Sequence, residues 1–474
     1  MRVAAIDQGT TSTRVLVADT DGMLQIACAI THQQFHPHPG WVEHDPEELL
    51  ANIRKCLDAA GVVDAIGIDN QGESCLAWDA ETGEALSPVI VWQDNRTEEA
   101  VARLKDRGAA SLTLSRAGLP LDPYFSASKL AWIINNVPAA KQALAAGRLR
   151  LGTTDAFFLD RLTGQFATDI TTASRTSLMT LESGKWDADL CDLFGVPITC
   201  LPEIRPTVAD YGRIGGIPVT ASVVDQQAAL FGHGCRKPGD AKITFGTGAF
   251  ALAVTGQEIA RAPEKGLLPT VAWKIEGKTT YAVDGGVYDA GAAVEWARRI
   301  GIVSDLEKDL DWFEGEAAIE RGVVFVPALS GLACPHWDRT AASLFLGMSA
   351  GTTQADLRQA LLEGIALCAA DVVTAMHAHV PIGSAVAIDG GLARSRYFAQ
   401  FLADMIGRDV IVADFDERTA FGTAKLAALG ASVTLPEPKT ELHIFHPRVA
   451  NSSAVRKRFH DAVARCKGWR ELSE

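Results

Sequence analysis

Residues 3–18 read VAAIDQGTTSTRVLVA, and this stretch decides how the first half of the chain folds. Two apolar runs flank a segment rich in glycine and threonine, a pattern typical of two strands joined by a tight turn. Backbone N–H groups in such a turn can converge on a phosphate, and the Asp7 carboxylate at the end of the first strand could reach a Mg²⁺ ion. A plain hairpin has the same local pattern, so the stretch alone leaves both interpretations open.

A similar unit occurs in the second half of the chain. Residues 242–254 read KITFGTGAFALAV, in which Gly246, Thr247 and Gly248 occupy the turn. Two such units predict two related halves, and Gly and Pro residues near positions 230–240 mark the boundary between them. We therefore predict a first domain over residues 1–235 and a second over residues 236–474.

Apolar runs alternate with helical patterns along the rest of the chain. Apolar spacing and terminal signals predict helices over residues 46–60, 97–105, 357–380 and 396–406. This alternation is typical of the α/β class. The P-loop pattern is absent, so a nucleotide would have to bind by another route.

Composition narrows the possible functions. The 474 residues include 44 Lys and Arg against 58 Asp and Glu, and the net charge of −14 argues against a nucleic-acid partner. No apolar run approaches the ~18 residues of a membrane span, and the first residues do not resemble a signal peptide. The nine cysteines form no C-x-x-C pair, which is typical of reduced thiols. We expect a cytoplasmic enzyme that binds neither nucleic acid nor membrane.

Six segments carry a pattern of their own, and the first of them lies within the stretch 3–18. In chain order they are DQGTT at 7–11, GWVEHDP at 40–46, LDPYFS at 121–126, ASRT at 173–176, DQQAALFG at 225–232 and DGG at 389–391. Together they resemble the FGGY family of carbohydrate kinases, most closely its glycerol kinase branch, from residue 1 to about residue 432. The resemblance implies two actin-like (ribonuclease H-like) ATPase domains around a central cleft. ATP would be held mainly by the second domain and the polyol mainly by the first.

The resemblance also implies roles for individual residues. Asp225 matches the general base of the family, although an Asp at the start of an apolar helix is also typical of an N-cap. Asp7 matches the carboxylate that faces Mg²⁺. The positions that match ATP contacts are Thr10, Thr11, Arg14, Thr247, Gly248, Gly291, Glu295, Gly391 and Ser395. Two of these depart from the usual glycerol kinase residues, because Glu295 stands in place of Gln and Ser395 in place of Asn.

The polyol site implied by the resemblance combines carboxylate, amide and aromatic groups, which suit the hydroxyls and the carbon edge of a polyol. Its residues are Gly72, Glu73, Trp92, Tyr124, Asp225, Gln226 and Phe250. Glycerol kinases usually have Arg where this chain has Gly72, so a donor fork for a terminal hydroxyl is lost. We expect the opened site to favour a C4 or C5 polyol over glycerol, unless a neighbour such as Arg96 replaces the fork.

These residues predict an ATP- and Mg²⁺-dependent kinase that phosphorylates a hydroxyl of glycerol or a related C4 or C5 polyol in carbohydrate catabolism. A kinase of a ketopentose, xylulose or ribulose, is an alternative, since Arg394 and Ser395 after Gly391 resemble that branch. A non-catalytic actin-like nucleotide switch would share the phosphate turns but would not need Asp225 beside a polyol site. The resemblance further implies a homo-oligomer, either a dimer or a tetramer.

Overall fold

Two large sheets, one in each half of the chain, dominate this computed structural model, which describes residues 1–449 and 452–470. The strands of the first half are β1 Arg2–Gln8, β2 Ser12–Asp19, β3 Leu24–Thr31, β4 Glu43–His44, β5 Ala65–Asn70, β6 Cys75–Asp79, β7 Val89–Ile90, β8 Leu149–Thr153, β9 Ala167–Asp169, β10 Met179–Thr180, β11 Lys185–Trp186, β12 Glu203–Arg205, β13 Arg213–Ile214 and β14 Ile217–Val224. Its helices are α1 Pro46–Ala60, α2 Glu98–Asp106, α3 Ala110–Arg116, α4 Ser126–Asn136, α5 Pro138–Ala145, α6 Thr154–Thr163, α7 Ile170–Ala173, α8 Ala188–Phe194 and α9 Asp225–Gly232.

The second half contains fewer strands and longer helices. Its strands are β15 Ala241–Phe245, β16 Ala249–Gly256, β17 Leu268–Ile275, β18 Lys278–Val287, β19 Val324–Val326, β20 Leu344–Leu346, β21 Ala385–Gly390, β22 Asp409–Ala413 and β23 Leu442–Phe445. Its helices are α10 Gly291–Arg299, α11 Leu306–Leu310, α12 Gln354–His377, α13 Arg396–Ile406, α14 Arg418–Gly430 and α15 Ser453–Cys466.

The two large sheets share a topology. The first has the strand order β13-β14-β5-β1-β2-β3, and the second has the order β17-β18-β16-β15-β21-β22-β23. In each sheet an antiparallel hairpin, β1–β2 or β15–β16, lies beside strands that run parallel to the first strand of the hairpin. The α/β class and the repeated strand–turn–strand unit predicted from the sequence are confirmed.

Two helices cross where the halves meet. A Cβ on Gly232 of α9 would lie 1.9 Å from Arg418 O, and a Cβ on Gly422 of α14 would lie 1.9 Å from Ala228 O, so only glycine permits this approach. Although α14 belongs to the second half, it packs on β1, β5 and β14 of the first sheet. The apolar core at this crossing therefore contains residues of both halves. As a result, α9 is anchored to both halves.

The central helix α12 is the one described helix that is long and apolar enough by composition to cross a membrane. Glu363 and Asp371 interrupt its apolar sequence, so the sequence-based expectation that no apolar run approaches that length is not contradicted. In the fold, 83% of its apolar window is buried, as in the core helix of a globular domain. It begins at Gln354 rather than at 357 because Thr353 and Asp356 form a capping box.

Candidate active site

A cavity of about 220 Å³ is lined by residues of both halves, around the two hairpin turns and the N-terminus of α9. Its lining residues that the sequence predicts as site residues are Thr10, Thr11, Gly72, Glu73, Trp92, Tyr124, Asp225, Gln226, Thr247, Gly248 and Phe250. Those that it does not predict are Arg175, Val224, Gln227, Thr244, Gly246, Leu252 and Asp284. The predicted phosphate turns and polyol positions thus share one space.

Backbone hydrogen bonds hold the two turns at the cavity. In the first turn, Gly9 N donates to Ser12 O at 3.0 Å. In the second turn, Thr247 O accepts from two amides at the start of α10, at 3.1 and 2.9 Å, and Gly291 N donates to Gly246 O at 3.0 Å. The first amide groups of α10 are therefore used to fix the second turn against that helix.

Asp225 is the first residue of α9, at the point where buried strand β14 ends. Its Oδ1 accepts a hydrogen bond from Gln226 N at 2.7 Å. Burial, together with the nearby charges of Glu73 and Asp7, raises the pKa of Asp225 to about 7, against the opposing effects of the hydrogen bond from Gln226 N and of the Lys242 charge. A carboxyl group with this pKa can act as a base near neutral pH.

Asp7 pairs in register with Asp69 on the neighbouring parallel strand β5. Burial raises the pKa of both carboxyl groups, that of Asp69 well above its usual range, and the charge of Asp7 adds to the rise at Asp69. Asp69 Oδ2 accepts from Thr423 Oγ1 of α14 at 2.6 Å. On the other side, Arg14 Nε lies 3.9 Å from Asp7 Oδ2, and its Nη1 donates to Glu417 Oε2 at 3.0 Å.

The Asp7 carboxylate is a hard oxygen donor of the kind that Mg²⁺ prefers. Among residues 1–449 and 452–470, no cluster of three or more His, Cys, Asp or Glu side chains forms a complete metal site. The donor set therefore fits a cation that brings phosphate oxygens and water as its remaining ligands, as Mg²⁺ bound to a nucleotide does.

An ion-pair cluster that the sequence did not predict lies on the polyol side of the cavity. Arg175 Nε donates to Glu73 Oε1 at 2.6 Å, and its Nη2 lies 3.0 Å from Asp284 Oδ2 on β18. All three side chains are less than one-tenth exposed, and Arg175 Nη1 and Asp284 Oδ1 have no hydrogen-bond partner in the described structure. In the sequence, the ASRT motif, which contains Arg175, was the only indication that Arg175 matters.

Glu73 has a left-handed backbone, with φ +58°, which is uncommon for a residue with a side chain. Ser126 Oγ donates to Glu73 O at 2.9 Å and helps to hold this conformation. Burial raises the pKa of Glu73, although Arg175 opposes the shift. The result is a carboxyl group fixed in place at the cavity wall.

Three aromatic rings form another part of the wall. Trp92 meets Tyr124 edge to face at 5.7 Å between ring centroids and Phe250 at 6.0 Å. Trp92 Nε1 donates to Thr10 Oγ1 at 3.0 Å, so the aromatic wall is tied to the first turn. Apolar ring surface beside hydrogen-bonding groups is suited to a small, flexible polyol.

Gly72 adjoins the side chain of Val224. A Cβ on Gly72 would lie 2.8 Å from Val224 Cγ2, so Val224 occupies part of the space that a longer side chain at position 72 would need. Arg96 does not replace the missing arginine fork, because its side chain is 1% exposed and is paired with Asp94 and Glu43. The alternative that Arg96 enters the site is therefore wrong for this structure.

Six predicted site residues lie outside the lining of this cavity, namely Asp7, Arg14, Gly291, Glu295, Gly391 and Ser395. Gly391 is exposed, and a Cβ there would meet nothing within 4 Å. Ser395 caps α13, accepts from Phe398 N and donates to Leu310 O at 2.5 Å. Glu295 is exposed and lies 2.8 Å from Arg298 Nη2, whereas Gly291 touches the second turn through its backbone.

Comparisons with known proteins give consistent results. The family model described as the N-terminal domain of the FGGY family of carbohydrate kinases matches residues 2–232, and that of the C-terminal domain matches residues 241–431. The chain is 40% identical to a glycerol kinase of Thermus brockianus over 98% of both chains, and 41% identical to one of Bdellovibrio bacteriovorus over 91% of both. A crystal structure of Plasmodium falciparum glycerol kinase with ADP is similar at a TM-score of 0.89 and 30% identity, covering 100% of this chain and 99% of that one.

Proposed function

The chain belongs to the FGGY family of carbohydrate kinases, and from this premise we propose that it transfers the γ-phosphoryl group of ATP to a hydroxyl of glycerol or of a related C4 or C5 polyol. The observation that carries the proposal is the single cavity in which Asp225 lies with Glu73, the aromatic wall and both turns. The sequence identity of this chain to relatives named glycerol kinase favours a polyol over a ketopentose as the acceptor.

Asp225 is the proposed general base. Its carboxylate orients the acceptor hydroxyl and accepts the proton as the oxygen attacks the γ-phosphorus in line with the leaving ADP oxygen. Thr10 and Thr11 in the first turn and residues 247–248 in the second would hold the phosphates through backbone and hydroxyl donors. Asp7 would hold the Mg²⁺, which offsets the charge on the phosphate oxygens.

The size of the acceptor is proposed from Gly72 and Val224. The missing arginine removes a donor for a terminal hydroxyl, and the cavity retains Arg175, whose Nη1 has no partner in the described structure, as another donor. A longer polyol can reach more of these groups than glycerol can, so we propose that kcat/KM is higher for a C4 or C5 polyol.

A coupled assay with C3 to C6 polyols, xylulose and ribulose tests both the proposed reaction and the proposed size of the acceptor. We expect ATP-dependent turnover of polyols, with a C4 or C5 compound preferred. The double variant Gly72→Arg/Val224→Ala, which restores the fork and removes the 2.8 Å approach, should shift the preference to glycerol, and Val224→Ala alone is the matched control. If the wild type prefers glycerol and the double variant does not turn over glycerol faster, the enlarged site is rejected. If the wild type phosphorylates only a ketopentose, the polyol is rejected as the acceptor.

The proposal includes a soluble, cytoplasmic enzyme that acts as a homodimer or homotetramer. The family resemblance is its support. Light scattering on the purified enzyme should give the mass of two or four chains, and a monomer at assay concentration would reject this part without affecting the catalytic proposal.

A further inference from the structure

Lys242 of β15 is a fully buried lysine at the junction of the two halves, with a relative exposure of 0%. Its Nζ donates to Gln226 Oε1 at 2.6 Å and to Thr244 Oγ1 at 2.8 Å. No carboxylate of the described residues lies within ion-pair distance of this ammonium group. Lysine is almost never fully buried unless it is paired, so a buried ammonium group held by an amide and a hydroxyl needs an explanation.

The contact fixes the orientation of the Gln226 amide. An ammonium group can only donate hydrogen bonds, so the oxygen of the amide must face Lys242 and the Nε2 group must face away from it. Gln226 lines the cavity next to Asp225, and its Nε2 makes no hydrogen bond within residues 1–449 and 452–470. Gln226 therefore presents donors to the cavity.

The same lysine connects the two kinds of site in the cavity. Gln226 is on α9 of the first half, at a predicted polyol position, whereas Thr244 is on the strand that leads into the second turn. One buried amine thus joins the polyol-facing amide to the strand that carries the phosphate-facing turn. A methionine could fill the same volume but could not orient the amide.

We propose that Lys242 is a positioning residue that holds the Gln226 amide with its Nε2 donors toward an oxygen atom of the acceptor, beside the hydroxyl that Asp225 deprotonates. The proposal rests on the proposed function, because it needs a polyol in this cavity. It differs from a purely structural role, in which Lys242 would support the fold without affecting acceptor binding.

Steady-state kinetics on the full-length enzyme, with ATP and the polyol preferred in the substrate panel, test this role. In Lys242→Met we expect the KM for the polyol to rise about fivefold or more, the effect of one lost hydrogen bond, with the KM for ATP within about twofold of wild type. Gln226→Leu should give a similar rise. In the double variant Lys242→Met/Gln226→Leu the KM for the polyol should be no higher than in Gln226→Leu alone, because the lysine affects acceptor binding through the amide.

Gln226→Glu provides the second test and does not depend on whether Lys242→Met folds. Its carboxylate can still accept from Lys242, but it presents an acceptor rather than a donor to the cavity, so the KM for the polyol should again rise. A wild-type KM in Gln226→Glu would overturn the proposal. An unchanged polyol KM in a folded Lys242→Met variant would also overturn the proposal. Additive effects of the two substitutions on the polyol KM of the double variant would overturn it as well.

These outcomes are distinguishable from failure of the proposed function. A wild-type enzyme that phosphorylates no polyol removes both proposals at the start. An active wild type in which only the melting temperature responds to Lys242→Met removes the positioning role and leaves the kinase proposal intact.

Discussion

Replacing the proposed base by its neutral isostere should make the protein more stable and much less active. Asp225→Asn keeps the shape of the side chain, and its Oδ1 can still accept from Gln226 N. It removes the group that takes the proton from the acceptor hydroxyl. We expect kcat to fall by ~10²–10⁴-fold, equivalent to about 3 to 5 kcal/mol in the barrier, with little change in ATP affinity.

The gain in stability follows from the raised pKa of Asp225. This pKa is about 7 in the folded protein against 3.8 for an ordinary Asp, so the fold binds the proton more tightly than the unfolded chain does. The ionised group therefore destabilises the fold, with a cost that begins near pH 4, grows up to about pH 7 and is constant above it. The full difference corresponds to about 4 kcal/mol, and because Asp225 is only partly buried at the cavity wall we expect a gain of about 2 kcal/mol in Asp225→Asn at pH 8.

Denaturant unfolding of wild type and Asp225→Asn between pH 4 and pH 8 measures this difference. Asp187→Asn is the matched control, since Asp187 also lies at a helix start but is outside the cavity. Burial raises the pKa of Asp187, yet hydrogen bonds from Arg116 and Leu190 outweigh this and leave it lowered, so the control should lose stability at pH 8 and keep its activity. Near-normal kcat in Asp225→Asn would remove Asp225 from the mechanism, and a stability gain independent of pH would reject the buried charge as its cause.

Three further substitutions probe the nucleotide and polyol sides separately. Thr247→Val or Gly391→Ala should weaken ATP binding in calorimetric titrations without changing polyol affinity. A Cβ at Gly391 meets no protein atom within 4 Å, so a loss of ATP affinity in Gly391→Ala would come from contact with the ligand. Wild-type ATP binding in both variants would contradict the proposed nucleotide site. Arg175→Met leaves Glu73 and Asp284 buried without a cation, so it should raise the polyol KM at least tenfold and lower the unfolding free energy by about 3 kcal/mol, whereas unchanged values of both would contradict the role of the ion-pair cluster.

Helix limits could be predicted where capping residues mark them. The predicted range 46–60 coincides with α1, which Asp45 caps at its start and Gly61 at its end, and the range 396–406 coincides with α13 between Ser395 and Gly407. The range 357–380 is displaced from α12, because apolar spacing continues past the end of the helix and the polar capping box lies before the apolar stripe. Local chemistry thus determines the elements more reliably than periodicity alone.

The polar part of the site was only partly predictable, because its partners come from distant segments. Arg175 and Asp284 meet although they belong to different halves, and neither local sequence indicates the other. Lys242 and Thr244 alternate with apolar residues along β15, a pattern that normally indicates a solvent-facing side of a strand. In the fold this side of the strand faces the junction of the two halves. Polar and apolar residues alternate as expected for a strand, but the polar side is buried rather than exposed to solvent.

The unpaired atoms of the cavity wall indicate which group of the acceptor binds there. Arg175 Nη1 is a buried donor and Asp284 Oδ1 a buried acceptor, and neither has a partner in the described structure. Buried polar atoms are normally satisfied, so a ligand that binds here is expected to complement both. A hydroxyl both donates and accepts, so a single hydroxyl of the acceptor can satisfy the guanidinium donor and the carboxylate acceptor together. The unpaired pair therefore predicts that a hydroxyl of the acceptor binds against Arg175 and Asp284, whereas the preference for a polyol over a ketopentose, which also carries hydroxyls, rests on the identity to chains named glycerol kinase.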